Sequence, residues 1–572
     1  MRGFKTVFAI FLTLLLNPGP ALAGSQRRAP ANRPRLVVLL MVDQMRADYV
    51  EKYGYQWSAG LRRLVDEGAR FQQARYPYWR TVTCAGHATI STGSFPSSHG
   101  MVSNTWYDQA EGKNVTCTQD SSVSAVSYGR PVSGGDSAQR LLRPTLSDEI
   151  RRSFGEQARI AAFSRKARSA ISLGGRRPNA VAWFDERGNW VTSTAFAKEP
   201  VAFLLDFIRS HPIEADAGKA WERMLPESDY LYADDGFGEK APAPWDAEFP
   251  HLLPDGNGTT DGTYAPLWVN SPYADDYLGA LAIAAVDALN MGRGPGTDFL
   301  GVGFSALDAV GHDFGPRSHE VQDVLVRLDR TLGRLFAHLD QTVGRDNYVV
   351  ALSSDHGVSP ILEQMQAAGL SAGRQPVNEI QERMEAVLQK RMGAGTHVRR
   401  IMGDEVTLVD GVYEKIRQET ALKDELVRAI LLAPGVDRVL TRDDLRHGIG
   451  STDPVVRAYA LSSYPGRGSD ADLYLVTRPY WQFMNAPRDH GLQGGASHGS
   501  GHAYDQRVPV ILMGGMFRPG QYLAPATPAD IAPTLATVLG IEMARTDGRV
   551  LEEALRPTVQ RSRGRDRPPS KN

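Results

Sequence analysis

Cysteine is scarce in this chain of 572 residues, which contains only Cys84 and Cys117. Two cysteines allow at most one disulfide bond within the chain, and such a bond would persist only in an oxidising compartment. The sequence alone leaves the pairing open, because the distance between the two residues in the fold is not known at this point.

Net charge is also nearly absent, since 64 basic residues face 65 acidic ones and the formal charge is −1. A balanced chain has no general attraction for nucleic acid or for anionic lipid, so we expect neither as a specific partner. Any recognition of an anion must therefore depend on charges placed locally.

A long apolar run is missing except near the start of the chain. Residues 1–23 combine Arg2 and Lys5 with an apolar run at 7–16 and with Ala21-Leu22-Ala23, which is the pattern of a secretory signal peptide. The run is too short to span a bilayer, although an uncleaved anchor is an alternative. We expect a periplasmic or secreted monomer with no membrane attachment after signal cleavage.

Apolar runs and amphipathic helices alternate through the rest of the chain. Runs at 35–42, 298–307 and 348–353 are typical of strands buried on both faces of a sheet, and 319–343 has the spacing of an amphipathic helix. This alternation predicts an α/β fold with a mainly parallel central sheet. We expect a catalytic core at 24–369 and 486–555, an inserted cap subdomain at 370–485 and a disordered tail at 556–572.

A stretch rich in hydroxyl groups, from Thr81 to Asn104, contains a predicted helix that starts at Thr81 or Thr83 and ends at Gly93. The first turn of a helix presents unpaired N–H groups and binds phosphate readily. A hydroxyl group there could act as a nucleophile towards an anionic group. The alternative is that these hydroxyl groups only cap the helix.

Three acids, Asp43, Asp308 and Asp355, each follow a different predicted strand. Ligands of open α/β sheets bind beyond the carboxyl ends of the strands, so we expect the three carboxylates to converge there. Three like charges at one place require neutralising cations. Capping of the helices that follow is the alternative role for each acid.

Histidines accompany these acids: His312 lies four residues after Asp308, His356 follows Asp355, and His498 lies in a Ser-His-Gly sequence. Neutral imidazole together with carboxylate is a usual ligand set for Zn²⁺. The other histidines are interpreted as surface or core residues, and His87, His99 and His502 are the nearest alternatives.

With these motifs in order, the mature sequence resembles the alkaline phosphatase superfamily, and within it the PafA/PhoK-type branch that uses a threonine nucleophile. The resemblance rests on Val42-Asp43-Gln44, Thr83 with Gly86-His87-Ala88, His99-Gly100 before Asn104, Lys166-Ala167-Arg168, Asp308 with His312, Asp355-His356-Gly357 and His498-Gly499. It implies an alkaline phosphatase-like sandwich around the central sheet.

The same resemblance implies two Zn²⁺ ions and a phosphothreonine intermediate in the hydrolysis of phosphate monoesters. One ion would be held by Asp308, His312 and His498, and the other by Asp43, Asp355, His356 and the Thr83 hydroxyl group. The choice of Thr83 over Thr81, and the division of ligands between the ions, come from the family.

Lys166 and Arg168 would bind the substrate phosphoryl group, together with a hydrogen bond from Asn104. Two residues apart in extended chain, Lys166 and Arg168 would point to the same side and present a pair of cations. Such a pair favours a dianionic monoester over a diester. The alternative, a solvated basic turn, is suggested by the neighbouring Arg165.

Other functions stay open from the sequence. Related phosphodiesterases and nucleotide pyrophosphatases share the two-zinc core but have no matching Lys-x-Arg pair. A sulfatase would need an arginine four residues after Cys84, where this chain has Ala88. Cys84 could itself be a nucleophile at a helix start. A binding protein for metal or phosphate would leave the hydroxyl group unexplained.

Overall fold

A ten-stranded sheet runs through the computed structural model, which describes residues 33–108, 111–185, 188–255, 262–447, 453–464, 471–484 and 494–557. The predicted signal peptide at 1–23 and the predicted tail from 558 onwards lie outside the described residues. Among the described residues, no helix combines the length and the apolar character needed to cross a bilayer.

The strands of the described residues, numbered along the chain, are β1 Leu36–Val42, β2 Ala69–Phe71, β3 Thr105–Asp108, β4 Lys113–Thr116, β5 Ala125–Ser127, β6 Ile160–Ser164, β7 Ala180–Phe184, β8 Trp190–Ser193, β9 Ala220–Trp221, β10 His251–Leu252, β11 Asp298–Phe304, β12 Tyr348–Ser353, β13 Gly373–Pro376, β14 Val398–Met402, β15 Glu405–Leu408, β16 Val436–Thr441, β17 Leu473–Thr477, β18 Trp481–Met484, β19 Val510–Met513 and β20 Gly520–Tyr522.

The helices of the same residues are α1 Tyr49–Tyr53, α2 Gly60–Glu67, α3 Thr83–Thr92, α4 Pro96–His99, α5 Leu146–Phe154, α6 Ala167–Gly174, α7 Ala202–Ser210, α8 Tyr264–Val269, α9 Pro272–Ala288, α10 Ala306–Phe314, α11 His319–Thr342, α12 Leu362–Ala367, α13 Val377–Met392, α14 Val412–Gln418, α15 Thr420–Leu431, α16 Arg442–His447, α17 Pro454–Ser463, α18 Ala503–Gln506 and α19 Ile531–Leu539.

The large sheet has the strand order β20-β2-β19-β12-β1-β11-β6-β7-β8-β5. Its centre is parallel, because β1 pairs in parallel with β11 and β12, and β6 pairs in parallel with β11 and β7. Antiparallel pairs lie towards both edges. The prediction of a mainly parallel central sheet is confirmed.

Both faces of the sheet are covered, and β1 shows why its sequence is continuously apolar. Leu36, Val38 and Leu40 join the core on one face, while Val37 and Leu39 join the core on the other. Side chains alternate along a strand, so a strand buried on both faces has no polar positions. Helices α2, α9 and α11 pack on the first face, and α5, α6 and α19 pack on the second. The predicted sandwich is confirmed.

Residues 373–484 include a smaller antiparallel sheet with the order β14-β15-β17-β16. Helices α13 and α15 pack on this sheet around a separate apolar cluster that contains Leu388, Leu426 and Leu473. Arg80 reaches this segment from the catalytic core and pairs with Asp404 and Glu405. The interpretation of 370–485 as a cap stays a prediction.

Three details of the predicted elements are wrong. The strand expected over 298–307 ends at Phe304, and helix α10 begins at Ala306. The alanine-rich sequence also predicts a helix from Tyr277 to Met291, but the helix begins five residues earlier, at Pro272. The segment 215–275 has no clear periodicity, which predicts a surface insertion, but it buries Trp221 and Trp268 completely against the main core.

Candidate active site

The three aspartates converge at the carboxyl-end edge of the central sheet, as the sequence predicts. Asp43 directly follows β1, and Asp355 comes two residues after the parallel neighbour β12. Asp308 differs from the prediction, because it lies in the first turn of α10 and not at the end of a strand. Burial and the nearby carboxylates of Asp308 and Asp355 raise the pKa of Asp43 to about 6.

The three histidines are oriented by the main chain. The Nδ1–H group of His312 donates to the carbonyl oxygen of Ala496 at 2.9 Å, and that of His356 donates to Gly357 at 3.0 Å. His498 donates in the same way to Thr81 at 2.9 Å. Each ring therefore keeps a lone pair on Nε2, the arrangement found in metal-binding histidines.

The Nε2 atoms point towards the aspartates. His312 Nε2 lies 3.4 Å and His498 Nε2 lies 3.8 Å from Asp308 Oδ1. His356 Nε2 lies 3.4 Å from Asp43 Oδ1, and neither of these two buried atoms has a hydrogen-bond partner among the described residues. Buried lone pairs that face one another without a donor are costly, and a shared cation removes that cost.

These residues fit bound metal. Two groups have ligand atoms within 4.8 Å of one another, namely Asp308 with His312 and His498, and Asp43 with Asp308 and His356. Mixed nitrogen and carboxylate donors suit Zn²⁺. The second group contains Asp308, whereas the family resemblance places Asp355 in that set.

Lys166 is placed differently from the prediction. Its Nζ atom donates to Asp43 Oδ2 at 2.5 Å and to Asp308 Oδ2 at 2.6 Å, so the ammonium group lies among the carboxylates. Burial opposes ionisation of Asp308, but Lys166 and His312 hold its pKa well below its usual range. The expectation of an extended Lys-x-Arg segment is wrong, because helix α6 begins at Ala167.

Arg168 lies in the first turn of α6. Its Nε atom is buried without a hydrogen-bond partner among the described residues. Burial lowers the pKa of Arg168, and the field of Asp43 and Asp308 opposes that effect. Arg165 donates to the carbonyl oxygen of Val269 and lines a cavity together with Lys166 and Arg168.

Thr83 is the first residue of α3, and the side chain of its N-cap residue, Val82, makes no capping hydrogen bond. Thr83 is 1 % exposed. Thr81, the other candidate, donates its hydroxyl group to the carbonyl oxygen of Ser500 at 2.8 Å. The first turn of a helix presents main-chain N–H groups of the kind that bind phosphate.

Two further contacts hold the start of α3. The Cys84 N–H group donates to Asn104 Oδ1 at 2.9 Å, which leaves the Asn104 NH₂ group able to donate to a ligand. Cys84 and Cys117 form a disulfide bond, with their Cα atoms 6.6 Å apart. The open question of pairing is resolved, and a disulfide-bonded Cys84 has no thiol to act as a nucleophile.

The sequence assigns no role to Gln44 and offers His87 only as an alternative ligand, but both residues contact the aspartates. Gln44, with φ +67°, donates its side-chain amide to Asp308 Oδ1 at 2.8 Å and its main-chain N–H to Asp355 Oδ1 at 3.2 Å. His87 Nδ1 lies 3.1 Å from Asp355 Oδ2 and 3.0 Å from the carbonyl oxygen of Thr83. A spacing of one helical turn from Thr83 could have identified His87.

The other two histidines that were hard to dismiss lie outside this cluster. His99 accepts a hydrogen bond from the Met101 N–H group at 3.0 Å, and its Nε2 atom lies 3.1 Å from Thr89 Oγ1. His502 donates to the carbonyl oxygen of Thr477 at 2.9 Å. Their contacts are those of residues that stabilise loops.

Two cavities meet beside Asn104 and Thr105. A cavity of about 820 Å³ is lined by Lys166 and Arg168, and a cavity of about 420 Å³ is lined by His498 and by residues of the inserted segment. The structure thus brings the predicted site residues to one end of the sheet: Asp43, Asn104, Lys166, Arg168, Asp308, His312, Asp355, His356 and His498. Thr83 lies beside them, since its carbonyl oxygen contacts His87, which contacts Asp355.

Comparison with known proteins agrees with this fold and site. Residues 37–501 match the family described as "Type I phosphodiesterase / nucleotide pyrophosphatase", and the chain belongs to that family. The alkaline phosphatase PafA of Elizabethkingia meningoseptica is 30 % identical over 91 % of this chain and 94 % of its own. A protein of Myroides odoratus named a calcium-transporting ATPase is 31 % identical over 91 % of this chain and 95 % of its own.

The crystal structure of PafA covers 91 % of this chain and 99 % of its own, with 29 % identity and a TM-score of 0.82. The fold is therefore that of an alkaline phosphatase, and the resemblance inferred from the sequence is confirmed. A second PafA structure has a threonine, an asparagine, a lysine and an arginine substituted, at successive intervals of 21, 62 and 2 residues. Thr83, Asn104, Lys166 and Arg168 follow one another at the same intervals.

Proposed function

We propose that this protein is an exported alkaline phosphatase that hydrolyses phosphate monoesters through a covalent intermediate on Thr83. The observation that carries the proposal is the set of buried carboxylate and imidazole lone pairs, aimed at one another beside the start of α3. The name of the relative PafA, an alkaline phosphatase that aligns over nearly the whole chain, supports it.

Thr83 supplies the nucleophilic oxygen, which attacks phosphorus with the leaving group on the opposite side. The Asn104 NH₂ group and the Arg168 guanidinium group bind the non-bridging phosphoryl oxygens, since within the described part of the chain the Asn104 NH₂ group and Arg168 Nε have no hydrogen-bond partner. Lys166 adds positive charge from the same end of α6. A dianionic monoester gains more from these charges than a monoanionic diester does.

Asp308, His312 and His498 hold one Zn²⁺ ion, and Asp43, Asp355, His356 and Thr83 hold the other. When bound, the two ions supply the positive charge that activates a hydroxyl group and stabilises an anionic transition state. The main-chain contacts of the three histidines fix their tautomers before any ion binds. Gln44 and His87 position Asp308 and Asp355 by direct contact.

The remaining predictions form part of the same proposal. Residues 1–23 are a signal peptide that directs the chain to the periplasm or the exterior, where the Cys84–Cys117 disulfide bond persists. The core comprises 24–369 and 486–555, and 370–485 is a cap over the site. The mature protein is a monomer that acts on small phosphate monoesters.

The test is a comparison of kcat/KM for p-nitrophenyl phosphate and bis-p-nitrophenyl phosphate, with metal content determined on the same sample. We expect the monoester to be strongly preferred, and we expect chelation to abolish turnover and Zn²⁺ to restore it. Preference for the diester would favour a phosphodiesterase or nucleotide pyrophosphatase. Binding of zinc and phosphate without turnover of either ester would favour a binding protein.

A further inference from the structure

The Cys84–Cys117 disulfide bond lies directly beside the proposed nucleophile. Cys84 follows Thr83 in the first turn of α3, and Cys117 follows the last residue of β4. The two cysteines are 0 % and 1 % exposed, and their Cα atoms are 6.6 Å apart. The bond therefore ties the helix that carries Thr83 to the antiparallel pair of strands β3 and β4.

Asn104 is held by the same two cysteines. Its side-chain oxygen, Oδ1, accepts from the Cys84 N–H group at 2.9 Å, and its main-chain oxygen accepts from the Cys117 N–H group at 3.1 Å. Asn104 comes directly before β3, whose first residue, Thr105, pairs with Thr116 of β4. The two oxygen atoms of Asn104 are thus bonded to the two residues of one covalent cross-link.

An apolar cluster surrounds the cross-link. Ala88 of α3, Trp106 of β3 and Val115 of β4 belong to this cluster, together with Leu141. Apolar packing is non-directional, so it holds the helix and the strands together without fixing the direction of a single amide group. A disulfide bond, in contrast, fixes the separation of the two residues that it joins. The cross-link therefore restricts sliding of β3 and β4 along α3 in a way that the cluster does not.

We propose that Cys84 and Cys117 are positioning residues, and that their disulfide bond keeps the Asn104 NH₂ group directed at the phosphoryl group. This inference rests on the proposed phosphatase function, in which Asn104 binds the non-bridging oxygens. Sliding of the strands along α3 would move this donor while Thr83 and every proposed metal ligand stayed in place. Misplacement of a catalytic group by about 1 Å can cost about 100-fold in rate, so a small displacement of Asn104 is measurable.

The test is a cycle of variants that separates this role from general stability. Cys84→Ala combined with Cys117→Ala removes the cross-link and keeps apolar side chains in its place. We expect kcat/KM for p-nitrophenyl phosphate to fall about 10-fold in the zinc-loaded variant, and the affinity for inorganic phosphate, measured by calorimetry, to fall with it. In an Asn104→Ala background the same two substitutions should change neither quantity further, because the group that they misplace is already absent.

Leu141→Ala is the matched control, because it loosens the same apolar cluster and leaves the cross-link intact. It should lower the melting temperature, as the cysteine variant does, and keep kcat/KM and phosphate affinity close to those of the wild type. Cys84→Ser combined with Cys117→Ser is a second variant without the cross-link, for use if the alanine pair folds poorly. Zinc content is determined on every sample, so that loss of metal is not mistaken for loss of positioning.

Losses of equal size with and without the Asn104 side chain would overturn the proposal, because the cross-link would then act through another group. Wild-type turnover and phosphate binding in both cysteine variants would overturn it as well. If the wild-type protein binds inorganic phosphate but hydrolyses no ester, the phosphatase proposal fails. The positioning role then stands if phosphate binding weakens without the cross-link and only when Asn104 is present.

Discussion

Each of the three site histidines uses Nδ1 to hold a main-chain carbonyl group, so its metal-binding atom is chosen by the fold. This arrangement distinguishes those histidines from His99. His99 uses both ring nitrogens for contacts within the protein and has no lone pair to offer a ligand. At the scale of single residues, a histidine's role follows from the partner of its second nitrogen.

Thr83→Ala removes the proposed nucleophile without leaving a large cavity. We expect kcat for p-nitrophenyl phosphate to fall by at least about 10³-fold, as in other enzymes that lose a nucleophile, with the melting temperature unchanged. Thr83→Ser keeps a hydroxyl group and is the matched control. Near-normal turnover by the alanine variant would refute the assignment of Thr83.

Lys166→Ala combined with Arg168→Ala removes two positive charges from the phosphoryl site. We expect the kcat/KM for p-nitrophenyl phosphate to fall at least about 10-fold more than that for bis-p-nitrophenyl phosphate, because the monoester bears the greater charge. Arg177→Ala is the control, since the exposed Arg177 pairs with Glu156 and lines neither cavity. Equal losses for both esters would show that the pair does not determine selectivity.

His99 gives a pH dependence that is independent of the metal site. Burial lowers its pKa from 6.5 to about 3, so the folded protein holds it neutral. Its contribution to stability is complete above pH 6.5 and is lost as the pH falls towards about 3. We expect the difference in unfolding free energy between wild type and His99→Asn, measured with urea and chelator present, to shrink over that range. A constant difference would contradict this prediction.

The sequence was enough to predict which residues form the site, but it was not enough to predict where each side chain points. The apolar strands β1 and β12 are recognisable in the sequence, and Asp43 follows the first while Asp355 and His356 follow the second. The local pattern therefore places these residues at the edge of the sheet. The direction of Lys166 depends on carboxylates 123 and 142 positions away in the chain. No local pattern contains that information.

At the scale of elements, helix α3 must pass very close to the loop after β12. A Cβ atom on Gly86 would lie 2.3 Å from the main-chain oxygen of Asp355 and 2.5 Å from its Cα atom. This close approach brings the start of α3 to the aspartates, and it is possible only for glycine. The identity of residue 86 is therefore part of the geometry of the site.

Gly86→Ala should destabilise the protein by about 1–3 kcal/mol and should also lower kcat, because main chain and not a flexible side chain must move. Urea denaturation and turnover of p-nitrophenyl phosphate measure the two effects. Gly54→Ala is the matched control, since a Cβ atom there meets nothing closer than 3.7 Å. Unchanged stability in Gly86→Ala would show that the close approach is absent in solution.

Element boundaries show where sequence patterns stop being informative. The start of α2 is held by the distant Asp329, which accepts from the N–H groups of Ala59 and Arg62. The capped helix after Thr145 follows from local residues, including the capping box with Asp148. Helix α10 instead begins at Ala306 because its main-chain N–H groups bond the carboxylate of Asp275, 31 positions earlier. When the capping side chain belongs to another helix, the residues next to the helix start do not reveal it.

At the scale of the whole molecule, the site concentrates three buried carboxylates with one ammonium group. A ligand that binds only the folded state stabilises it in proportion to the logarithm of its concentration. We expect chelation to lower the melting temperature and Zn²⁺ to raise it again, measured by differential scanning calorimetry. Asp308→Asn should remove most of the rise, and a melting temperature indifferent to Zn²⁺ would argue against a resident metal.

The association between the core and the inserted segment could not be predicted. The sequence indicates a change of character near 370, and the structure shows a separate sheet and apolar cluster there. The contacts of Arg80 with Asp404 and Glu405 span more than 320 positions, and like-charged and opposite-charged residues are common throughout the chain. Charge composition does not identify such partners.

None of the proposed ligands or phosphate-binding residues belongs to the insertion, yet Arg80, three positions before Thr83, is tied to it by two ion pairs. Proteolytic cleavage of the insertion would thus make the position of Thr83 less well fixed, although every proposed metal ligand would stay intact. Heat that unfolds the small sheet first would have the same effect. Inactivation of this protein can begin in a part of the chain that takes no direct part in the reaction.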